Sequence, residues 1–128
     1  MLLLSVIIPV YNESATLPEL LKRVMEVPVE KEILIVDDGS TDGTGDFLKG
    51  LADKSVTVLR HDANRGKGAA IRTALPHTRG QFVIIQDGDL EYDPMDYLVL
   101  LRAIHDSDGV VYGSRNLNPR SGKSYFRY

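Results

Sequence analysis

Asp87-Gly88-Asp89, with Glu91 two residues further on, is the segment best suited to chemistry. In extended or turning backbone, alternate residues project to the same side. Both aspartates can therefore face one cation while Gly88 keeps the backbone clear, and Glu91 continues the alternation. Carboxylates this close repel one another unless a cation sits among them, and hard oxygen donors suit Mg2+ or Mn2+. Mg2+ commonly takes one or two carboxylates and completes its shell with water and phosphate, so a phosphate-bearing ligand belongs beside such a site. The same residues also read as a solvated turn with helix-capping acids, since Asp-Gly is common in turns. An EF-hand is excluded, because Tyr92 stands where its loop needs glycine.

Asp37-Asp38-Gly39-Ser40 is a second acidic run. A carboxylate there could accept a hydrogen bond from a base N–H or a ribose hydroxyl, as acidic strand ends do in dinucleotide folds. Turn chemistry and helix capping is the competing reading for Ser40, Thr41 and Asp42. An EF-hand beginning at Asp38 fails at Lys49, where a bidentate glutamate is needed. Gly66-Lys67-Gly68-Ala69-Ala70, at a helix start, could hold an anion through backbone N–H groups and the helix dipole. It departs from a P-loop at Gly68, which lacks the hydroxyl, and at His61, where the leading glycine belongs; Ile71 breaks the Gly-x-Gly-x-x-Gly pattern. The alternative is close loop packing, with Arg65 or Lys67 reaching into a cleft. His61, His77 and His105 have no metal-ligand spacing and read as surface or boundary residues.

Both acidic runs end β-branched stretches, which is how a buried parallel strand delivers charge to the carboxyl edge of a sheet. That edge is where open α/β sheets bind ligands. Short apolar runs alternate with amphipathic stretches along the chain, the mark of βαβ units. Strands are expected near 5–9, 33–36, 56–59, 82–85 and 109–112. The first helix carries Thr16 and Glu19 at capping-box spacing, with Leu17, Leu20, Leu21 and Val24 on one face. Phe47, Leu48 and Leu51 mark a short second helix. A third turns Ala70, Ile71, Ala74 and Leu75 inward. Asp93 caps a fourth, with Pro94 at its first position and Tyr97, Leu98, Leu101 and Ile104 on its apolar face. The fold class is α/β, Rossmann-like, with a mostly parallel sheet flanked by helices. Residues 1–115 form its core, and 116–128 is a basic loop or tail.

The bulk numbers agree. A chain of 128 residues with 43% hydrophobic and 26% charged residues is one soluble globular domain, neither disordered nor fibrous. The net charge of −3 gives no case for nucleic-acid binding. The acids concentrate between Asp87 and Asp96, whereas Arg115, Arg120, Lys123 and Arg127 lie near the end with no acid among them. With no cysteine, disulfides and thiolate metal sites are excluded. The apolar start lacks the basic region and cleavage site of a signal peptide, and no apolar run approaches the ~20 residues that span a bilayer.

Ser5-Val-Ile-Ile-Pro9-Val-Tyr11-Asn12-Glu13, Val36-Asp37-Asp38-Gly39-Ser40-Thr-Asp42-Gly43-Thr44, Asn64-Arg65-Gly66-Lys67-Gly68, Asp87-Gly88-Asp89 and Gly113-Ser114-Arg115 occur in the order seen in family 2 glycosyltransferases of the GT-A fold. The chain most resembles the dolichyl-phosphate mannosyltransferase and polyprenyl-phosphate glycosyltransferase branch, over roughly residues 5 to 116. The resemblance implies that Pro9, Tyr11 and Glu13 line a nucleotide pocket, and that Val36 and Asp38 contact the base. It implies that Asp87 and Asp89 hold Mg2+ or Mn2+ against the donor diphosphate, with Glu91 a third ligand. Gly88 approaches ribose or phosphate through its backbone, and Arg115 meets donor phosphate or sugar.

The implied reaction expels a nucleoside diphosphate with inversion at the anomeric carbon, the metal and Arg115 stabilising the departing charge. A hydroxyl acceptor needs a general base, whereas a polyprenyl phosphate is already an anion and needs none. The implied partners are a GDP- or UDP-linked sugar and a polyprenyl phosphate. The implied location is the cytoplasm or, peripherally, the cytoplasmic face of a membrane. Chains of this family usually continue well past the Gly-Ser-Arg motif into the part that shapes the acceptor site. The donor half is therefore expected here without the acceptor half, which leaves room for a non-catalytic nucleotide-sugar binder or a self-associating module. A receiver-like signalling domain fits less well, because the first strand ends in Pro9-Val-Tyr-Asn rather than an acidic pair.

Overall fold

The computed structural model describes residues 2–90, 92–105, 112–114 and 125–127. Four strands, β1 (Leu4–Val10), β2 (Lys31–Asp37), β3 (Val56–Arg60) and β4 (Phe82–Ile85), form one parallel sheet in the order β3-β2-β1-β4. Helices α1 (Leu17–Glu26), α2 (Thr44–Lys49) and α3 (Lys67–Ala74) make the crossovers, and α4 (Tyr97–His105) follows β4. The order reverses at β1, whose neighbours are β2 on one side and β4 on the other. That reversal opens a crevice at the carboxyl ends of β1 and β4.

The central strands are apolar on both faces because both faces are covered. Val6, Ile8 and Val10 alternate onto one face, joined by Ile33 and Ile35, and pack against Leu17, Leu20, Leu21 and Val24 of α1, Leu48 of α2 and Tyr97 of α4. Ile7, Leu34 and Val36 point to the other, against Ala70 and Ala74 of α3, whose small side chains let that helix lie close. Each fully buried Leu, Ile or Val contributes about 1.5–3 kcal/mol relative to exposure. At the amino edge, the buried carboxylate of Glu32 accepts from the Ser5 hydroxyl at 2.6 Å and from Arg79 Nε at 3.0 Å. Burial pushes the Glu32 carboxyl upward, but the Ser5 hydroxyl and the Arg79 backbone and guanidinium donors outweigh it and hold it below the usual range.

Several expectations change. Thr16 does precede α1, but it forms no capping box: its side chain caps nothing, and Glu19 pairs with Arg23 at 3.1 Å. Leu75 lies in a 3₁₀ turn (Leu75–His77) and is exposed rather than inward. The Asp93 cap is present, accepting from Met95 N at 3.0 Å at the head of a 3₁₀ turn that leads into α4. Two short strands, β5 (Tyr112–Ser114) and β6 (Tyr125–Arg127), pair antiparallel in a separate sheet, so the expected tail contains a strand. Its aromatic residues favour extended pairing. Residues 109–111 of the expected fifth strand lie outside the described residues. Among the described residues, no helix is long and apolar enough to cross a membrane.

Candidate functional site

Three turns leave the carboxyl ends of β1, β2 and β4, and each is held by its neighbours. After β1, Asn12 takes a left-handed φ of 52° and clasps the turn after β2. Its backbone N–H donates to Ser40 Oγ at 2.9 Å, and its Oδ1 accepts from Thr41 N at 2.8 Å. Glu13 N donates to Thr44 Oγ1 at 3.0 Å. Asp42 accepts from the Thr44 hydroxyl and backbone N–H, which together draw its carboxyl down to about 2. Ser40, Thr41 and Asp42 are therefore turn chemistry, as their composition suggests.

Asp38 turns inward. It is 4% exposed, and Oδ1 accepts from Arg65 N at 2.9 Å while Oδ2 accepts from Gly66 N at 2.9 Å. His61 Nδ1 lies 2.7 Å from Oδ1, and its Nε2 lies 2.8 Å from Thr73 Oγ1. Burial pushes the Asp38 carboxyl up; the Arg65 N–H, His61 and the Gly66 N–H pull it down further, and the net direction is down. Asp38 thus staples the loop of residues 62–66 to the end of β2. Gly39, with φ +78°, permits that closeness, since a Cβ there would come within 2.6 Å of the Ala63 carbonyl carbon.

The turn after β4 sits on the end of β1. A Cβ on Gly88 would meet Val10 Cγ1 at 3.0 Å and Glu13 Cγ at 3.1 Å, and the Gly88 carbonyl accepts from Thr16 Oγ1 at 2.9 Å. From behind, buried Gln86 donates to the Asp87 carbonyl at 3.3 Å and accepts from the Tyr97 hydroxyl at 2.6 Å. Burial pushes the Tyr97 phenol far up, so it remains a donor. The Asp87 carboxylate receives the Lys67 ammonium.

These turns enclose a cavity of about 250 Å³ lined by Pro9, Val10, Tyr11, Glu13, Asp38, Asn64, Gly66, Lys67, Asp87, Gly88 and Asp89. Seven of the expected site residues are brought together there: Pro9, Tyr11, Glu13, Asp38, Asp87, Gly88 and Asp89. Val36 is not among them; strand alternation buries it against α3, with Ile7, Leu34, Ala70 and Ala74. Glu91 and Arg115 lie outside the described residues. His61 is a correction: it is 5% exposed and bonded at both ring nitrogens, not a surface residue. Its position just past β3, at the same edge as Asp38, was the available signal. Of the run read as an anion cradle, the Gly66 N–H is committed to Asp38, as is the Arg65 N–H just before it.

The donor set fits a hard divalent cation. Asp87 and Asp89 flank a glycine that lies close against β1, and both line the cavity. Among the described residues no group of three or more His, Cys, Asp or Glu is disposed around one point. Two carboxylates suffice where phosphate and water supply the other ligands.

The family model for glycosyl transferase family 2 matches residues 5–128. An undecaprenyl-phosphate 4-deoxy-4-formamido-L-arabinose transferase of Pseudomonas aeruginosa is 41% identical over 99 residues, 72% of this chain and 29% of that protein. A dolichyl-phosphate beta-glucosyltransferase, ALG5D, of Trichomonas vaginalis is 33% identical over 135 residues, 93% of this chain and 41% of that protein. The chain thus spans well under half the length of these curated relatives. Among solved structures, the mannosyltransferase PcManGT of Pyrobaculum calidifontis, in complex with GDP-Man and Mn2+, superposes with a TM-score of 0.73 at 30% identity, covering 93% of this chain and 36% of that one. S. aureus TarS in complex with UDP gives 0.71 at 28% identity, over 82% and 32%. The parallel sheet flanked by helices is the GT-A architecture of these neighbours. A family match over nearly the whole chain, on this fold, means that the chain belongs to glycosyltransferase family 2.

Proposed function

We propose that the chain forms the donor-binding part of a metal-dependent, inverting glycosyltransferase that moves a hexose from a nucleoside-diphosphate sugar to a polyprenyl phosphate. The observation that carries this reading is the cavity at the sheet's reversal point, where Asp87 and Asp89 face Pro9, Tyr11, Glu13 and Asp38. In this reading Tyr11 and Asp38 flank the base, and Asp87 and Asp89 hold Mg2+ or Mn2+, with Glu91 as a third ligand. Arg115 meets the donor phosphate. A cation held by Asp87 and Asp89 would supply Lewis-acid stabilisation of the charge developing on the departing diphosphate. The anomeric C–O bond to the diphosphate breaks as a bond from the acceptor oxygen forms on the opposite face. A phosphate acceptor brings its own negative charge, so the chain needs no general base for that step. The polyprenyl-phosphate names of the relatives support this acceptor, and the GDP-Man, UDP and Mn2+ of the structural neighbours support the donor class and the metal. With such an acceptor the protein would work from the cytoplasm, peripherally at the cytoplasmic face of a membrane.

A second reading is nucleotide-sugar binding without turnover, alone or as a self-associating module. Calorimetry with GDP- and UDP-sugars, with and without Mn2+, tests the donor site. Metal-dependent binding is expected in the wild type, with a loss of tenfold or more in Asp89→Ala. Unchanged binding in that variant refutes the metal assignment. Product formation from a polyprenyl phosphate separates the two readings.

A further inference from the structure

Lys67 opens α3 and carries its ammonium to the Asp87 carboxylate. Both side chains reach solvent, Lys67 at 55% and Asp87 at 31% exposure, and both line the donor cavity. Lys67 is the one basic side chain among the described residues lining it. The backbone donors just before it, Arg65 N and Gly66 N, are spent on Asp38. A diphosphate entering between the turns after β2 and β4 therefore meets Lys67 as its cationic partner, while a divalent cation reaching Asp87 must displace that same ammonium. An exposed ion pair on a flexible four-carbon stem is weakly held, so the exchange is easy.

We propose that Lys67 is a two-position residue that screens Asp87 before ligands arrive and moves to the donor's diphosphate when the cation takes the carboxylate. The proposal rests on the donor-site reading above and adds a coupling to it. Lys67 opposes binding of the cation alone and assists binding of the nucleoside diphosphate, so the two ligands favour each other more than direct metal–phosphate contact requires. Coupling of this kind is reciprocal.

The test measures Mn2+ alone by electron paramagnetic resonance of the free ion, and GDP or UDP with saturating Mn2+ by calorimetry. Wild type, Lys67→Met and Lys67→Arg are compared, with thermal melting to confirm equal folding. In Lys67→Met, Mn2+ alone should bind about two- to fivefold tighter, from the worth of an exposed ion pair. The nucleotide with Mn2+ should bind on the order of tenfold weaker, from loss of a charged donor. Lys67→Arg, which keeps the charge, should stay near wild type in both. If Lys67→Met leaves Mn2+ affinity unchanged or weakens it, the screening role is wrong. If nucleotide affinity does not fall, the phosphate role is wrong. In either case wild-type binding would still uphold the donor site, whereas a wild type that binds no nucleotide removes the site and this proposal together.

Discussion

Asp38→Asn should cost about 3 kcal/mol of stability, although it replaces one side chain by another of the same shape. Both carboxylate oxygens accept a backbone N–H, Oδ1 from Arg65 and Oδ2 from Gly66, each at 2.9 Å. Whichever way an asparagine amide turns, its NH2 group must face one of those donors. One half-buried N–H is then left without its acceptor, at about 1–3 kcal/mol. The surviving bonds lose their charge assistance, which roughly doubles the strength of such bonds. A loss of this size should lower Tm by about 10 °C in a domain of this length. The effect is also pH-dependent. The folded Asp38 carboxyl lies below its ordinary value, so its contribution is fully present above the unfolded value of about 4 and is lost as pH falls through the folded one. Urea denaturation of both proteins at neutral pH and down through pH 4 should show a gap that is widest at neutrality and narrows in acid. A gap below about 0.5 kcal/mol at pH 7 would mean that the loop of residues 62–66 is not held by Asp38, and the reasoning fails.

Two further substitutions probe the neighbouring turns. Gly39→Ala forces a side chain into φ +78° and to within 2.6 Å of the Ala63 carbonyl carbon. The left-handed backbone alone costs roughly 1–2 kcal/mol, and displacing residues 63–64 adds to it; denaturation showing less than 1 kcal/mol would contradict that close approach. Thr16→Val keeps the shape of the side chain but removes the hydroxyl that donates to the Gly88 carbonyl at 2.9 Å. About 1 kcal/mol of stability should go, with several-fold weaker nucleotide binding in calorimetry; if both stay at wild-type levels, the contact does not hold the Asp87-Gly88-Asp89 turn.

What could be read in advance was whatever depends on local pattern. The Phe82–Ile85 strand matches its expected bounds, and β1 and β2 differ only by extending further at their ends. Strand alternation and helix periodicity are properties of neighbouring residues, and each acidic run begins where its strand ends. The misreadings share a different cause, in that a distant partner decided the outcome. Thr16 has the right spacing for a capping box, but its hydroxyl is taken by Gly88 from another turn. Gly66 and Arg65 have free N–H groups on paper, yet Asp38 claims both. His61 looks like a surface histidine until β3 is laid beside β2 and Asp38 is found at its ring. Val36 stands apart from these, since alternation, a local pattern, turns its side chain toward α3.

The same contacts sort the acids of the carboxyl edge by what they are available to do. Asp42 is occupied by Thr44, and Asp38 by the loop of residues 62–66 and His61. Asp37 is buried, accepts from Ser40 N at 2.9 Å and lies 4.0 Å from Arg60. Each of these carboxylates holds a turn or loop in place. Asp87 is built differently: its backbone is anchored through Gln86 and Tyr97, while its carboxylate is partly exposed and meets an exposed lysine. A rigid backbone beneath an exchangeable charge is what a cation site needs, because the ligand geometry is set beforehand and only a weak surface ion pair has to be given up. The anchoring of Gly88 by Thr16 and its packing on β1 extend that rigidity across the turn. The acids nearest β2 therefore hold the turns that frame the cavity, whereas the exchangeable carboxylate, that of Asp87, lies on the turn after β4.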